Sequence, residues 1–168
     1  MAELVREIMV DAAPETIWPL LTDPARLVEW HGTAADVDPR PGGTYRVLVA
    51  GQFQSAGEYV EVVAHEKVVF TFGWDVPDHP IPPGSTTVEI TLHPEGAKTR
   101  VRLVHRGLPD DAVDDHGRGW AHYLERLAIA ATGGSPGPDA PTPEDEAVPR
   151  TGGNRPGGGR GPRERNDR

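Results

Sequence analysis

The chain has 168 residues, a formal net charge of −9 and no cysteine. Its length allows one domain with a margin, and without cysteine there are neither disulfides nor thiol chemistry. The acidic balance argues against docking onto nucleic acid or an anionic membrane face.

Residues 1–7 contain no apolar run, so no secretory signal is read there. No stretch reaches the apolar length of a membrane span. A cytoplasmic location is expected.

Leu4 to Asp11 alternates imperfectly and is read as a first strand. Pro14 sits where a helix can begin, and Ile17, Trp18, Leu20 and Leu21 follow at helical spacing. Pro19 removes a backbone donor inside that run, which predicts a short or kinked helix. Asp23-Pro24 is an N-cap followed by a first helical residue, and a second helix is expected to about His31.

Strands follow. Pro41-Gly42-Gly43 is a turn, and Thr44 to Ala50 alternates Tyr45, Val47 and Val49 against Arg46 and Leu48. Gly51-Gln52 is read as a hairpin tip. Phe53 to Ala64 is a long strand with a bulge or bend at Gly57. The next strand points Val68, Phe70, Phe72 and Trp74 one way. Asp75 to Ser85 holds four prolines and is a loop. Thr86 to His93 and Thr99 to Arg106 complete the set, the last turning Val101, Leu103 and His105 inward. Period-two alternation with one polar face indicates an antiparallel sheet covered on one side.

The final helix carries the clearest signal. Val113, Trp120, Leu124, Leu127 and Ala131 fall on one helical face. Arriving after five strands and an earlier one, it has to lie across their sheet to bury that face. The acidic run Asp110, Asp111, Asp114 and Asp115 sits where carboxylates favour the helix dipole.

From Gly133 to Arg168 the chain has nine Gly and seven Pro in 36 residues, with six Arg against six Asp and Glu. Such a segment buries too little apolar surface to offset its ordering entropy. The domain is therefore placed at 1–133 and a disordered Gly/Pro/Arg-rich tail at 134–168. Ending the chain at Gly134 is expected to leave stability nearly unchanged.

Three segments carry a family resemblance. Val10-Asp11-Ala12-Ala13-Pro14-Glu15-Thr16-Ile17-Trp18 with Leu21-Thr22-Asp23-Pro24-Ala25-Arg26-Leu27-Val28-Glu29-Trp30 resembles the opening of START-like (SRPBCC) proteins. Pro41-Gly42-Gly43-Thr44-Tyr45-Arg46 is similar to their second-strand entry. His116, Gly119, Trp120, Tyr123, Leu124 and Leu127 resemble the final helix of the branch named for the activator of the heat-shock-protein-90 ATPase. The resemblance covers Leu4 to Gly133. It implies an α+β helix-grip fold: a curved antiparallel sheet wrapped around a long C-terminal helix, with two short helices after the first strand. It also implies a hydrophobic cavity between sheet and helix.

The candidate cavity residues are Trp30, His31, Tyr45, Tyr59, Phe72, Trp74, Leu103, His105, Trp120 and Leu124. Trp120 enters from the helix. Trp30 and His31 are placed near the mouth, Trp30 as a ligand gate, and Trp74 near the rim. Tyr45, Tyr59 and His105 offer polar groups to orient a ligand. Against each stands the plain alternative of core packing. No catalytic residue is assigned. No His-Glu-x-x-His, paired histidine at four or phosphate-cradling loop is present, so neither a metal nor a cofactor is expected.

The expected function is binding of a small hydrophobic or aromatic molecule, favoured over catalysis. The alternatives are a polyketide cyclase- or aromatase-like enzyme and a co-chaperone-like or regulatory interaction protein. A homodimer or a regulator partner is compatible with the sequence.

Overall fold

The computed structural model describes residues 2–139. Strand β1 (Ala2–Val10) leads into helices α1 (Pro14–Thr22) and α2 (Pro24–Leu27). Strands β2 (Ala34–Val37), β3 (Thr44–Val49), β4 (Phe53–Val63), β5 (Lys67–Phe72), β6 (Thr86–Glu95) and β7 (Lys98–Leu108) follow. A 3-10 turn at Asp110–Ala112 opens the long helix α3 (Val113–Ala131). The strands form one sheet in the order β1-β7-β6-β5-β4-β3-β2, and every neighbouring pair is antiparallel. This is the expected helix-grip architecture, with α3 gripped by a curved, open sheet.

The alternation read from the sequence is the alternation built. Tyr45, Val47 and Val49 of β3, Val68, Phe70 and Phe72 of β5, Val88, Ile90 and Leu92 of β6, and Val101, Leu103 and His105 of β7 are all buried. The opposite face carries ion pairs such as Arg102–Glu7 at 3.3 Å and Arg106–Glu3 at 3.1 Å. Each pair is half-exposed and worth little; together they keep this face in water. Helix α3 buries Trp120, Leu124, Leu127 and Ala131 as expected, and adds Gly117, Tyr123, Arg126 and Ala130. Arg6 of β1 ties the two layers by donating to the Gly117 carbonyl at 3.2 Å. Glycine at 117 leaves room for this contact, since a Cβ there would lie 2.3 Å from the Arg6 guanidinium and make that side chain shift.

Several expectations are corrected. Helix α1 is short, as expected, at nine residues, but it runs unbroken through Pro19. The carbonyl that Pro19 leaves without an intrahelical donor belongs to exposed Glu15, where water can take it. Asp23 does cap α2, its carboxylate accepting from the Ala25 amide at 3.0 Å. That helix stops at Leu27, not His31. Both Trp30 and His31 turn into the core, which adjacent residues on one helix face cannot do. Strand β2 was not expected at all. The β3–β4 tip is Ala50-Gly51, one residue earlier than read, with φ of 52° and 67°. The ladder irregularity in β4 falls between Tyr59 and Glu61 rather than at Gly57. Gly57 instead permits close approach of β5, whose Thr71 carbonyl would lie 1.8 Å from a Cβ.

Residues 134–139, assigned to the tail from composition, lie against the domain. Arg126 donates to the carbonyls of Pro136 at 3.1 Å and Gly137 at 2.9 Å. Asp139 is buried and accepts from Tyr123 Oη at 2.9 Å and from the Ala50 amide at 2.8 Å. The rest of the tail, 140–168, lies outside the described residues.

Two predictions follow from this packing. Leu124 is 1% exposed and Glu125 faces water. Leu124→Ala is expected to lose about 2–5 kcal/mol in chemical denaturation, and Glu125→Ala less than about 0.5 kcal/mol; equal losses would place the wrong face of α3 inward. Ending the chain at Gly134 is now expected to lower the melting temperature measurably, because four hydrogen bonds worth about 1 kcal/mol each are removed. An unchanged melting temperature would mean that the docked segment contributes nothing.

Candidate functional site

The ten candidate residues face one interior, but they fall into three groups. The first joins β5, β6, β7 and α3. Trp120 Nε1 donates to His105 Nδ1 at 3.1 Å, so that nitrogen carries no proton. His105 Nε2 therefore bears the hydrogen and faces Thr86 Oγ1 at 2.8 Å. The Thr86 hydroxyl in turn donates to the Phe72 carbonyl at 2.7 Å. Every member of this chain is satisfied. Burial, with a smaller contribution from the neighbouring His116, pushes the His105 pKa down to about 3. The ring is neutral, and neither nitrogen is available to a ligand. Phe72 packs edge-on against it at 5.1 Å between ring centres.

His116 of α3 belongs to this group, although it was not among the candidate cavity residues. Its Nδ1 donates to the Ala112 carbonyl at 2.8 Å, and its Nε2 accepts from Trp74 Nε1 at 3.2 Å. Its pKa is lowered, chiefly by burial. Trp74 itself is half-buried just beyond the end of β5, held by a bridge to Ser55 of β4.

The second group sits where the loop after α2 meets the C-terminal half of α3. Trp30 is core and not an exposed gate: it is 2% exposed, and its Nε1 donates to the Leu20 carbonyl at 2.6 Å. His31 stacks on Trp30 with ring centres 5.2 Å apart and meets Trp120 at 5.3 Å and Tyr123 at 4.6 Å. Burial lowers its pKa to about 4 against the opposing charge of Asp139. Sequence reasoning missed Arg126 and Asp139 here.

The third group lies on β3, β4 and β5. Tyr45 stacks on Phe70 with centres 3.9 Å apart, and Tyr59 meets Tyr45 edge-on at 5.8 Å. Burial raises the pKa of both phenols, so both are neutral. The Tyr59 hydroxyl is buried without a hydrogen-bond partner among the described residues. Leu103 and Leu124 are fully buried wall. Among the described residues no group of three or more His, Asp or Glu is placed to hold a metal ion, and no helix is long and apolar enough to cross a membrane.

Comparison with known proteins agrees with this architecture. The family described as activator of Hsp90 ATPase homolog 1-like protein matches residues 11–132. The chain is similar to an AHSA1-like protein from Rhizobium etli at 36% identity and a TM-score of 0.63, covering 96% of this chain and 95% of that one. A protein from Mesorhizobium loti shares the fold at 22% identity and a TM-score of 0.70, covering 78% and 97%. So does the Aha1 dimer from Colwellia psychrerythraea at 21% identity and a TM-score of 0.64, covering 78% and 96%. No curated protein matches the chain.

The buried histidines predict an acid dependence. An unfolded histidine titrates near 6.5, whereas His105 is held at about 3 and His31 at about 4. Between those values the unfolded state binds more protons, so stability is complete above about pH 6.5 and falls as pH drops, by up to roughly 1.4 kcal/mol per pH unit per histidine. Denaturation of His105→Gln at neutral and mildly acid pH is expected to show a shallower slope than the native chain. Equal slopes would show that His105 is not held neutral.

Proposed function

The chain belongs to the activator of Hsp90 ATPase homolog 1-like family, and we propose that it is a binding protein for a small aromatic or hydrophobic molecule. The ligand enters the interior between the sheet and α3 and is oriented by Tyr59. The observation that carries this reading is the unpartnered Tyr59 hydroxyl. Burying a hydroxyl with nothing to bond costs about 1–3 kcal/mol. A ligand carbonyl or ether oxygen would accept its proton and recover that loss. Around it, Tyr45 and Phe70 offer ring faces and edges. An apolar wall with one placed donor is the usual design of a small-molecule site.

Binding is favoured over catalysis by the state of the histidines. An enzyme needs polar groups in mutual reach with at least one free to move a proton. Both ring nitrogens of His105 and of His116 are committed to protein partners. Using either as a base would first break a buried hydrogen bond.

The test uses Tyr59→Phe. Without ligand the variant is expected to be at least as stable as the native chain, since it removes the orphaned hydroxyl. Aromatic ketones should change tryptophan emission saturably with micromolar affinity, about −8 kcal/mol. Tyr59→Phe should weaken them about tenfold and leave the matched hydrocarbons unchanged. If no aromatic compound in a broad panel perturbs the native emission, the ligand reading fails.

A further inference from the structure

The pocket that holds Asp139 has a composition that packing alone does not explain. The chain is acidic overall, yet this corner gathers donors. Arg126 is buried, and its guanidinium spends its hydrogen bonds on three backbone carbonyls, those of Trp30, Pro136 and Gly137. The Ala50 amide points inward from a hairpin tip whose φ of 52° is unfavourable for an alanine. The Tyr123 hydroxyl points to the same spot. The His31 ring, 3% exposed, packs against Trp30, Trp120 and Tyr123. An N–H and an O–H thus meet one carboxylate, the Arg126 cation holds the backbone just before it, and the buried His31 ring lies beside them. A buried cation with neutral partners is unfavourable unless an anion lies near it. The anion in place is the Asp139 carboxylate, brought back by five residues after Gly134.

We propose that this pocket is a carboxylate-binding site, kept filled by the chain's own Asp139, which takes a small aromatic monocarboxylic acid when residues 135–139 are displaced. The carboxylate of the incoming acid would accept from the Ala50 amide and Tyr123 Oη, as Asp139 does at 2.8 Å and 2.9 Å. Arg126 would then give up the carbonyls of Pro136 and Gly137 and turn its freed N–H groups to the acid, a charge-assisted contact stronger than those it leaves. The body of the acid would lie against the stacked rings of Trp30 and His31 and the edge of Tyr123. The site is separate from Tyr59. Tyr45, the ring that Tyr59 meets, is the second residue of β3, whereas Ala50 follows its last.

Because the pocket is self-occupied, its affinity for an outside acid is reduced by the fraction of molecules with the segment docked. Removing the Asp139 carboxylate lifts that reduction. The experiment titrates isotope-labelled full-length chain with sodium phenylacetate and, separately, with phenylacetamide, reading the Ala50 amide resonance. In Asp139→Ala, phenylacetate is expected to shift that resonance saturably, at least about tenfold more tightly than in the native chain, and phenylacetamide is expected to leave it in place. Adding Tyr123→Phe should weaken phenylacetate without making phenylacetamide bind. Should Asp139→Ala fail to fold, Asp139→Asn, which keeps one acceptor oxygen but no charge, decides by the same readout. Equal responses to the two probes, no saturable shift at Ala50, or a response confined to residues around Tyr59 would overturn the proposal. The last result would leave the Tyr59 reading standing.

Discussion

Seven strands at their usual spacing make a sheet roughly 29 Å wide, and one helix with its side chains is roughly 10–12 Å across. Helix α3 therefore cannot cover the apolar face it lies on. The rest of the structure is the solution to that shortfall. Beyond the helix backbone the interior is lined with long side chains: Trp120 from α3, Phe72 and Phe70 from β5, Tyr45 from β3 and Tyr59 from β4, all buried. Helix α1 adds Ile17, Leu20 and Leu21, and the loop after α2 adds Trp30 and His31. Aromatic rings bury 150–250 Å² each, so a few of them span a gap that aliphatic residues would leave open.

Rings that large bring polar atoms inside, and each has to be satisfied. The chain from Trp120 through His105 and Thr86 to the Phe72 carbonyl does this across three strands and the helix. It serves also as a register device, since sliding α3 along the sheet would orphan two buried groups at once, Trp120 Nε1 and His105 Nδ1. The Trp74–His116 pair does the same for the first turn of the helix. Against this background of satisfied groups, the unpartnered Tyr59 hydroxyl is a departure. Departures of that kind are expected where a site has been left for something else.

Most of the architecture was legible because burial writes a period into the sequence. The inward positions of β3, β5, β6 and β7 and the buried stripe of α3 follow from alternation and helical spacing alone. Strand β2 was not legible. Its residues Ala34, Ala35 and Asp36 include no β-branched or aromatic side chain, and only Val37 is buried; its conformation comes from pairing with β3. Positions at the ends of runs were misread for a related reason. Ending a helical pattern points Trp30 and His31 towards a cavity mouth, yet the chain bends there to bury both. His105 was read as a handle, and only the neighbouring atoms reveal that both its nitrogens are in use. Arg126 carried a signal that went unused: it falls three residues after Tyr123 and four before Ala130, on the buried face.

The segment after α3 shows where composition stops being informative. Reading it as tail rested on how little apolar area it can bury, and that count is correct. Docking here depends on different terms. Gly133, at φ 85°, ends the helix, and Gly137, at φ 81°, turns the chain a second time; these glycines make the backbone available for close approach. The prolines between and after them narrow the conformations that the free segment samples, which reduces the entropy lost on docking. Backbone carbonyls and one carboxylate then meet a cation, an amide and a phenol. Gly- and Pro-rich composition, usually taken as evidence that nothing is ordered, is here what lets a short stretch fold back with almost no hydrophobic contact. Such a strap is held by polar complementarity rather than by apolar packing. The strap therefore adds to the stability of the domain chiefly through the four hydrogen bonds it makes.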